Sequence, residues 1–283
     1  MEKIVWITGA GGLIGNYLVQ TARQYAAQWK VLGLTRATLD LTDHKSVREK
    51  FQRDLPQLII HCAAQSKVPA CEKDPKLAGQ LNVEVTKSLA ELAADIPFVF
   101  FSTDLVFDGR KGNYVETDQP NPLSVYGETK VAAENIVLRN PKHIAIRTSM
   151  NCGNSSTGDR GFSDELRQSW MRGETTKLFT DEFRCPMFAG VTARAIWELA
   201  GNSVGGIFHL AGSERLSRAQ IGELIAKRFP ELNPKIETGS LTEYKGPPRA
   251  PDTSVNCAKI QDLLSFTLPR FSDWMAQDSK EFS

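Results

Sequence analysis

Ile4-Val5-Trp6-Ile7-Thr8-Gly9-Ala10-Gly11-Gly12-Leu13-Ile14-Gly15 carries an apolar, β-branched run straight into a glycine-rich turn that opens a helical pattern. Gly9, Gly12 and Gly15 stand where a missing side chain lets backbone amides approach a pyrophosphate and lets a helix pack closely on a sheet. Leu13 and Ile14 sit at the helix start, in the same phosphate-facing turn. Glycines at this spacing are a modest signal by themselves, and the strand-turn-helix context supplies the specificity; the alternative is a tight turn with no ligand.

Outward from that turn the same rhythm continues. Short apolar runs near Ile4 to Thr8, Val31 to Leu34, Leu58 to Cys62, Phe98 to Ser102 and Ile144 to Arg147 alternate with longer helical patterns, and Gly206 to Leu210 reads as a late strand. This alternation predicts an α/β fold, a Rossmann-type doubly wound parallel sheet with a small C-terminal α/β substrate lobe. We expect a dinucleotide-binding domain over 1–150, with 188–212 returning to it, and a substrate-binding lobe from 151–187 and 213–283. Past Asn151 the pattern blurs: Gly153 to Gly161 reads as a mobile substrate-side loop, and Glu231 to Val255 as an irregular part of the lobe.

A chain of 283 residues buries an ample core. A net charge of +1 with 24% charged residues shows no basic stripe or acidic tail, so neither nucleic acid nor an anionic membrane is an expected partner, and a small-molecule substrate is. No apolar run approaches the ~18 residues of a spanning helix, and a cytoplasmic protein is expected. The five cysteines lack a Cys-x-x-Cys pair and do not cluster with the four histidines, so we expect structural thiols, no disulfide framework and no metal.

The cofactor's identity turns on the end of the second strand. An NAD-selective site places Asp or Glu there, whereas this chain has Leu34-Thr35-Arg36. Arg36 can pair with a 2′-phosphate, which favours NADP and leaves NAD as the alternative cofactor; a solvated surface arginine is the plain reading. Asp40, followed by Leu41, is either an adenine-side acceptor or a helix cap.

Tyr126-Gly127-Glu128-Thr129-Lys130 places a phenol and an ammonium four residues apart on one helix face, in a helix expected to begin just beyond Pro120 and Pro122. Reducing a ketone by hydride leaves an alkoxide that needs a proton, and free tyrosine, near ~10, is a weak donor. Lys130 is therefore expected to lower the Tyr126 phenol and to reach the nicotinamide ribose. Thr103, just past a strand's carboxyl end, is placed to hold the substrate oxygen. The alternative is an ordinary helical pair between Lys130 and Glu134.

Gly9 to Gly15, Ser102-Thr103-Asp104-Leu105-Val106-Phe107-Asp108-Gly109, Pro122 to Lys130, His61-Cys62-Ala63-Ala64 and Asn82 resemble the extended short-chain dehydrogenase/reductases, within them most the dTDP-4-dehydrorhamnose reductases. The resemblance covers essentially the whole chain and is most specific through about Ser149. It implies a Thr103, Tyr126, Lys130 triad, Ala63 and Ala64 lining the cofactor, and Asn82 supporting the site, although Asn82 reads equally as a cap or core amide. It further implies a reductase of a keto group on a nucleotide sugar, with a homodimer as a candidate assembly. Two alternatives stay open: an epimerase or dehydratase using the same triad, and a regulatory subunit resembling the methionine adenosyltransferase beta subunit. Two departures stand on the substrate side, where we count Thr103, Asp104, Met150 and Arg184. Met150-Asn151 stands where such enzymes carry an aromatic, and Arg184-Cys185-Pro186-Met187 replaces their Gly-x-Pro-Thr. Arg184 either holds a diphosphate or carboxylate, or pairs with Asp181 or Glu182.

Overall fold

Three consecutive strands, Leu58–His61 (β3), Phe98–Thr103 (β4) and Ile144–Thr148 (β5), are buried at every position, the pattern of central parallel strands covered on both faces. The computed structural model describes residues 3–200, 202 and 204–277; residues 1–2 and 278–283, at the outer edges of the expected units, and 201 and 203, inside the returning segment, lie outside the described residues. Lys3–Thr8 (β1) leads into Leu13–Tyr25 (α1), Trp29–Leu34 (β2) and His44–Asp54 (α2). Val85–Leu92 (α3) precedes β4, and Val125–Val137 (α4) lies between β4 and β5. The later elements are Phe162–Met171 (α5), Thr175–Phe179 (β6), Ala189–Ala200 (α6), Gly206–Leu210 (β7), Arg218–Arg228 (α7) and Lys235–Gly239 (β8).

The six-stranded sheet has the order β7-β5-β4-β3-β1-β2, and every pairing is parallel. From β1 the chain first winds outward to β2 and then returns to β3 on the other side. The crevice at the carboxyl ends of β1 and β3 is therefore the topological switch point, where ligands of such sheets bind. Successive side chains face opposite sides. Val5, Ile7 and Ile60 pack with Leu18 of α1 and Trp197 of α6, while Trp6, Ile59 and Phe100 pack with Leu89 of α3 and Ala133 of α4.

Beyond β5 the chain is more regular than its sequence suggests. The stretch expected to be irregular contains β8, which pairs in parallel with β6, a correction explained by the apolar Leu178 and Ile236 that these strands bury toward α7. Trp170, Leu178, Ile221 and Phe271 belong to the same core cluster as Val5 and Ile7, so the lobe rests on the sheet through continuous packing. Among the described residues no helix is long and apolar enough to cross a membrane.

Candidate active site

At the switch point the backbone approaches itself as closely as it can. Gly9 has φ +69°, and a Cβ there would stand 2.7 Å from the Ala63 nitrogen; one at Gly15 would collide with the Gly9 carbonyl oxygen. The Gly12 amide donates to that same carbonyl at 2.8 Å. α1 starts at Gly12 with no side-chain cap and no acid in its first turn, so its orphan amides are left for an anion. Gly9, Gly12, Leu13, Ile14, Gly15, Arg36, Asp40, Leu41, Ala63 and Ala64 all line one cavity of about 1210 Å³, larger than the roughly 300–1,000 Å³ of a single small-ligand pocket. Arg36 is exposed and makes no ion pair within 4 Å among the described residues. Asp40 is not a helix cap: it accepts from the Thr42 amide at 2.9 Å and hydroxyl at 2.7 Å, bonds that hold its carboxyl below the usual range, while Asp43 caps α2 through Ser46.

Thr103 ends β4, where its hydroxyl accepts from the Leu105 amide at 3.2 Å and donates to Asp104 at 3.3 Å. Ser124 caps α4 by accepting from the Gly127 amide at 3.1 Å. Gly127 is needed because a Cβ there would lie 2.5 Å from the Leu105 oxygen. This contact presses Tyr126 toward the end of β4. Asn82, buried in a π-helical stretch over Gln80–Glu84, ties the two walls together: its amide accepts from Gln65 N at 2.8 Å and donates to Gln65 O at 3.1 Å and to Thr129 at 3.0 Å.

The electrostatics correct one expectation. Tyr126 is raised above the ordinary phenol, because burial outweighs the favourable hydrogen bond from Thr103, and Lys130 does not reverse this. Thr103 and Tyr126 nonetheless face one another across the same cavity wall, at the end of β4 and the start of α4. Burial lowers Lys130 to about 7 against the pull of Glu134 and Cys62, and its Nζ lies over the Phe100 ring at 4.1 Å. The alternative Lys130–Glu134 pair does not form, since Glu134 is bound by Arg147 at 2.8 Å and by Ser102. Thr103, Tyr126 and Lys130 face the same cavity as the glycine turn.

On the lobe side, Arg184 is committed to the protein. It donates to the carbonyls of Phe183 at 2.7 Å and Ala250 at 3.1 Å and to Glu182 at 2.9 Å, whereas Asp181 receives Ser240 and Leu241 instead. Asp104, 4% exposed, accepts from Ser149 at 2.7 Å and Thr253 at 2.8 Å. Its carboxylate is mostly used within the protein. Glu182 is the hub of three guanidiniums: Arg249 at 2.9 Å, Arg184 at 2.9 Å and Arg218 at 3.4 Å. Burial alone would raise the Glu182 carboxyl, but Arg218, Arg184 and Arg249 together hold it below its usual range. Arg218 lies 4.4 Å over Phe162 and 4.0 Å from the Met150 sulfur, so a cation occupies ground next to the missing aromatic.

The segment expected to be a mobile substrate-side loop is pinned beside the glycine turn. Asn154 N donates to the Tyr17 hydroxyl at 3.1 Å, Ser155 donates to Asp164 at 2.6 Å, and Ser156 reaches the Gly11 carbonyl at 3.4 Å. The five cysteines are free; burial raises all of them, Cys152 and Cys257 to about 12 and Cys185 to about 11, so they are unreactive packing groups.

The family model described as "RmlD substrate binding domain" matches residues 2–282. The chain belongs to that family. A probable low-salt glycan biosynthesis reductase, Agl14, of Haloferax volcanii is 31% identical, the match covering 98% of each chain. The methionine adenosyltransferase 2 subunit beta of Xenopus laevis is 29% identical over 91% of this chain and 81% of that protein. In architecture the chain is similar to a dTDP-4-dehydrorhamnose reductase from Bacillus anthracis solved with NADP, with a TM-score of 0.87, 24% identity and 97% and 98% coverage; at that identity the likeness speaks for the fold.

For this RmlD-type chain the sequence reading missed Glu182, Arg218 and Arg249 as a unit. They come from three separated segments, and no spacing rule joins them. One signal was present: Arg249 stands in Pro247-Pro248-Arg249-Ala250-Pro251, a stretch with no helical or strand period to account for a charge.

Proposed function

We propose that the protein is an NADPH-dependent reductase of a keto group on a nucleotide sugar, with NADH as the weaker coenzyme. The observation that carries this reading is the convergence of Thr103, Tyr126 and Lys130 on the cavity that also contains the side-chain-free turn at Gly9–Gly15. The residues present suit a dinucleotide, since the turn has room for backbone-to-phosphate approach and little else. In this reading Gly9, Gly12, Leu13, Ile14 and Gly15 hold the diphosphate, Arg36 the 2′-phosphate, Asp40 and Leu41 the adenosine side, and Ala63, Ala64, Tyr126 and Lys130 the nicotinamide half. When bound, the coenzyme supplies the hydride.

The chain's own groups handle the oxygen. Thr103 donates a hydrogen bond to the substrate carbonyl. Tyr126, raised by burial, stays protonated at neutral pH and so arrives in the form that can donate; the alkoxide is a far stronger base and takes that proton. The Lys130 ammonium then stabilises the phenolate left behind. Arg218 and Arg249 carry more positive charge than Glu182 cancels and receive the sugar's diphosphate, with Met150, Asp104 and Arg184 shaping the wall beside it. We assign coenzyme binding to 1–150 with 188–212, and the substrate to 151–187 and 213–283.

The test is NADPH oxidation with a panel of 4-keto nucleotide sugars, with Tyr126→Phe as control. Undiminished turnover in that variant would remove Tyr126 from its role. A tightly retained, non-exchanging NAD would favour an epimerase or dehydratase. A second reading is favoured by the similarity to a methionine adenosyltransferase beta subunit: no turnover on any keto sugar, together with a stable complex with a methionine adenosyltransferase catalytic subunit, would establish it in place of the first.

A further inference from the structure

One turn beyond Lys130, α4 buries a carboxylate that the proposed chemistry does not touch. Glu134 and Arg147 are each 2% exposed. Arg147 Nε donates to both carboxylate oxygens, at 3.0 and 3.2 Å, and its Nη2 to Oε2 at 2.8 Å, while the Ser102 hydroxyl donates to Oε1. A buried ion pair is weak evidence of a stabilising role, because desolvation of the two charges offsets their attraction. The pair clamps α4 to the two strands beneath it, β4 through Ser102 and β5 through Arg147.

Lys130 needs what this clamp offers. Its amine is buried over the Phe100 ring, and that ring stacks on His61 at 5.9 Å. The groups that act on it are His61 and Cys62 at the end of β3, Phe100 on β4 and Glu134 on α4, and behind Glu134 stand Ser102 of β4 and Arg147 of β5. Burial, then Lys130 itself, pushes His61 down to about 3, and burial raises the Cys62 thiol, so both are uncharged at neutral pH. Glu134 is the carboxylate acting on the amine, and among favourable influences on the ammonium it is the largest.

We propose that Glu134, fixed by Arg147 and Ser102 one helical turn from Lys130, is a positioning residue that acts through Lys130 without touching it, supplying the counter-charge that keeps the amine in its ammonium form. Arg147 and Ser102 in turn hold the carboxylate at a constant distance from the amine.

For activity the inference rests on the reductase reading, but its decisive measurement does not. In protein labelled with 13C-lysine, the Cε signal of Lys130, assigned with Lys130→Met, is followed against pH without substrate. Its midpoint is expected near 7, apart from ordinary lysines near ~10.4. Glu134→Gln should move that midpoint down by about one unit or more, and Glu134→Asp should restore most of it. If turnover is found, the alkaline limb of kcat should move down in parallel, so that Glu134→Gln recovers activity as the pH is lowered; a merely structural lesion loses activity at every pH. If Glu134→Gln does not fold, the double variant Glu134→Gln with Arg147→Gln avoids an unpaired buried charge and should show a smaller fall in the same direction, because a cation is removed with the carboxylate. A midpoint that stays in place in a folded variant overturns the proposal. A shifted midpoint without any turnover supports it and counts against the reductase reading instead.

Discussion

The two ends of the cavity are built by different means. At the glycine-turn end, where we propose the coenzyme, the shape is made by backbone: Gly9 against Ala63, Gly15 against Gly9, and a helix start left uncapped. At the lobe end it is made by long side chains, with Arg184, Arg218 and Arg249 gathered on Glu182. Backbone shape depends on missing atoms and tolerates no replacement, whereas a cluster of guanidiniums can lose one member and keep its sign. A fold organised this way can hold its coenzyme site fixed while its substrate site changes.

The largest effect should come where the two ends meet. Tyr126→Phe removes the proton donor and should lower kcat by about 10²–10⁴-fold, with NADPH affinity little changed in a fluorescence titration. At the backbone-built end, Gly15→Ala pushes a methyl group into a carbonyl that cannot yield. Overpacking costs about 1–3 kcal/mol, and NADPH binding should weaken toward a hundredfold in the same titration. A variant that binds NADPH normally would break the contrast. At the side-chain-built end, Arg249→Ala leaves Glu182 paired with Arg184 and Arg218. Loss of a charged hydrogen bond worth roughly 1.5–3 kcal/mol should raise KM for the nucleotide sugar about 10- to 100-fold, with kcat and NADPH binding preserved. The smallest change is expected at the exposed rim, where Arg36→Ala should weaken NADPH by roughly tenfold or less and leave NADH unaffected; equal losses for both would remove Arg36 from the 2′-phosphate.

The same contrast explains what could be read from the sequence. The glycine turn, the six sheet strands and the Tyr126–Lys130 helix are local patterns, and each was legible because its reason lies within a few residues. Gly206 to Leu210 was visible as a strand, and it pairs with β5 at the sheet edge. Glu182, Arg218 and Arg249 were not legible as a cluster, because only the pairing of Phe183–Arg184 with Leu216–Ser217 and the bridge from Phe183 to Asp252 bring them together. The direction of the Tyr126 shift was misread for a related reason: helical spacing identifies the phenol's neighbour, but burial depends on segments that close over it. Asp40 was open between an adenine-side acceptor and a helix cap because Asp43, three residues on, is the residue that caps the helix, and spacing does not separate the two.

Gly127 carries a consequence for how this architecture can diversify. With the Leu105 oxygen 2.5 Å from where a methyl would go, any larger residue behind the tyrosine would wedge the helix away from the strand end. The seat of α4 on the end of β4 is thus governed by an absent carbon, well away from the lobe. Changes confined to the lobe would leave that seat, and the tyrosine it carries, where they are.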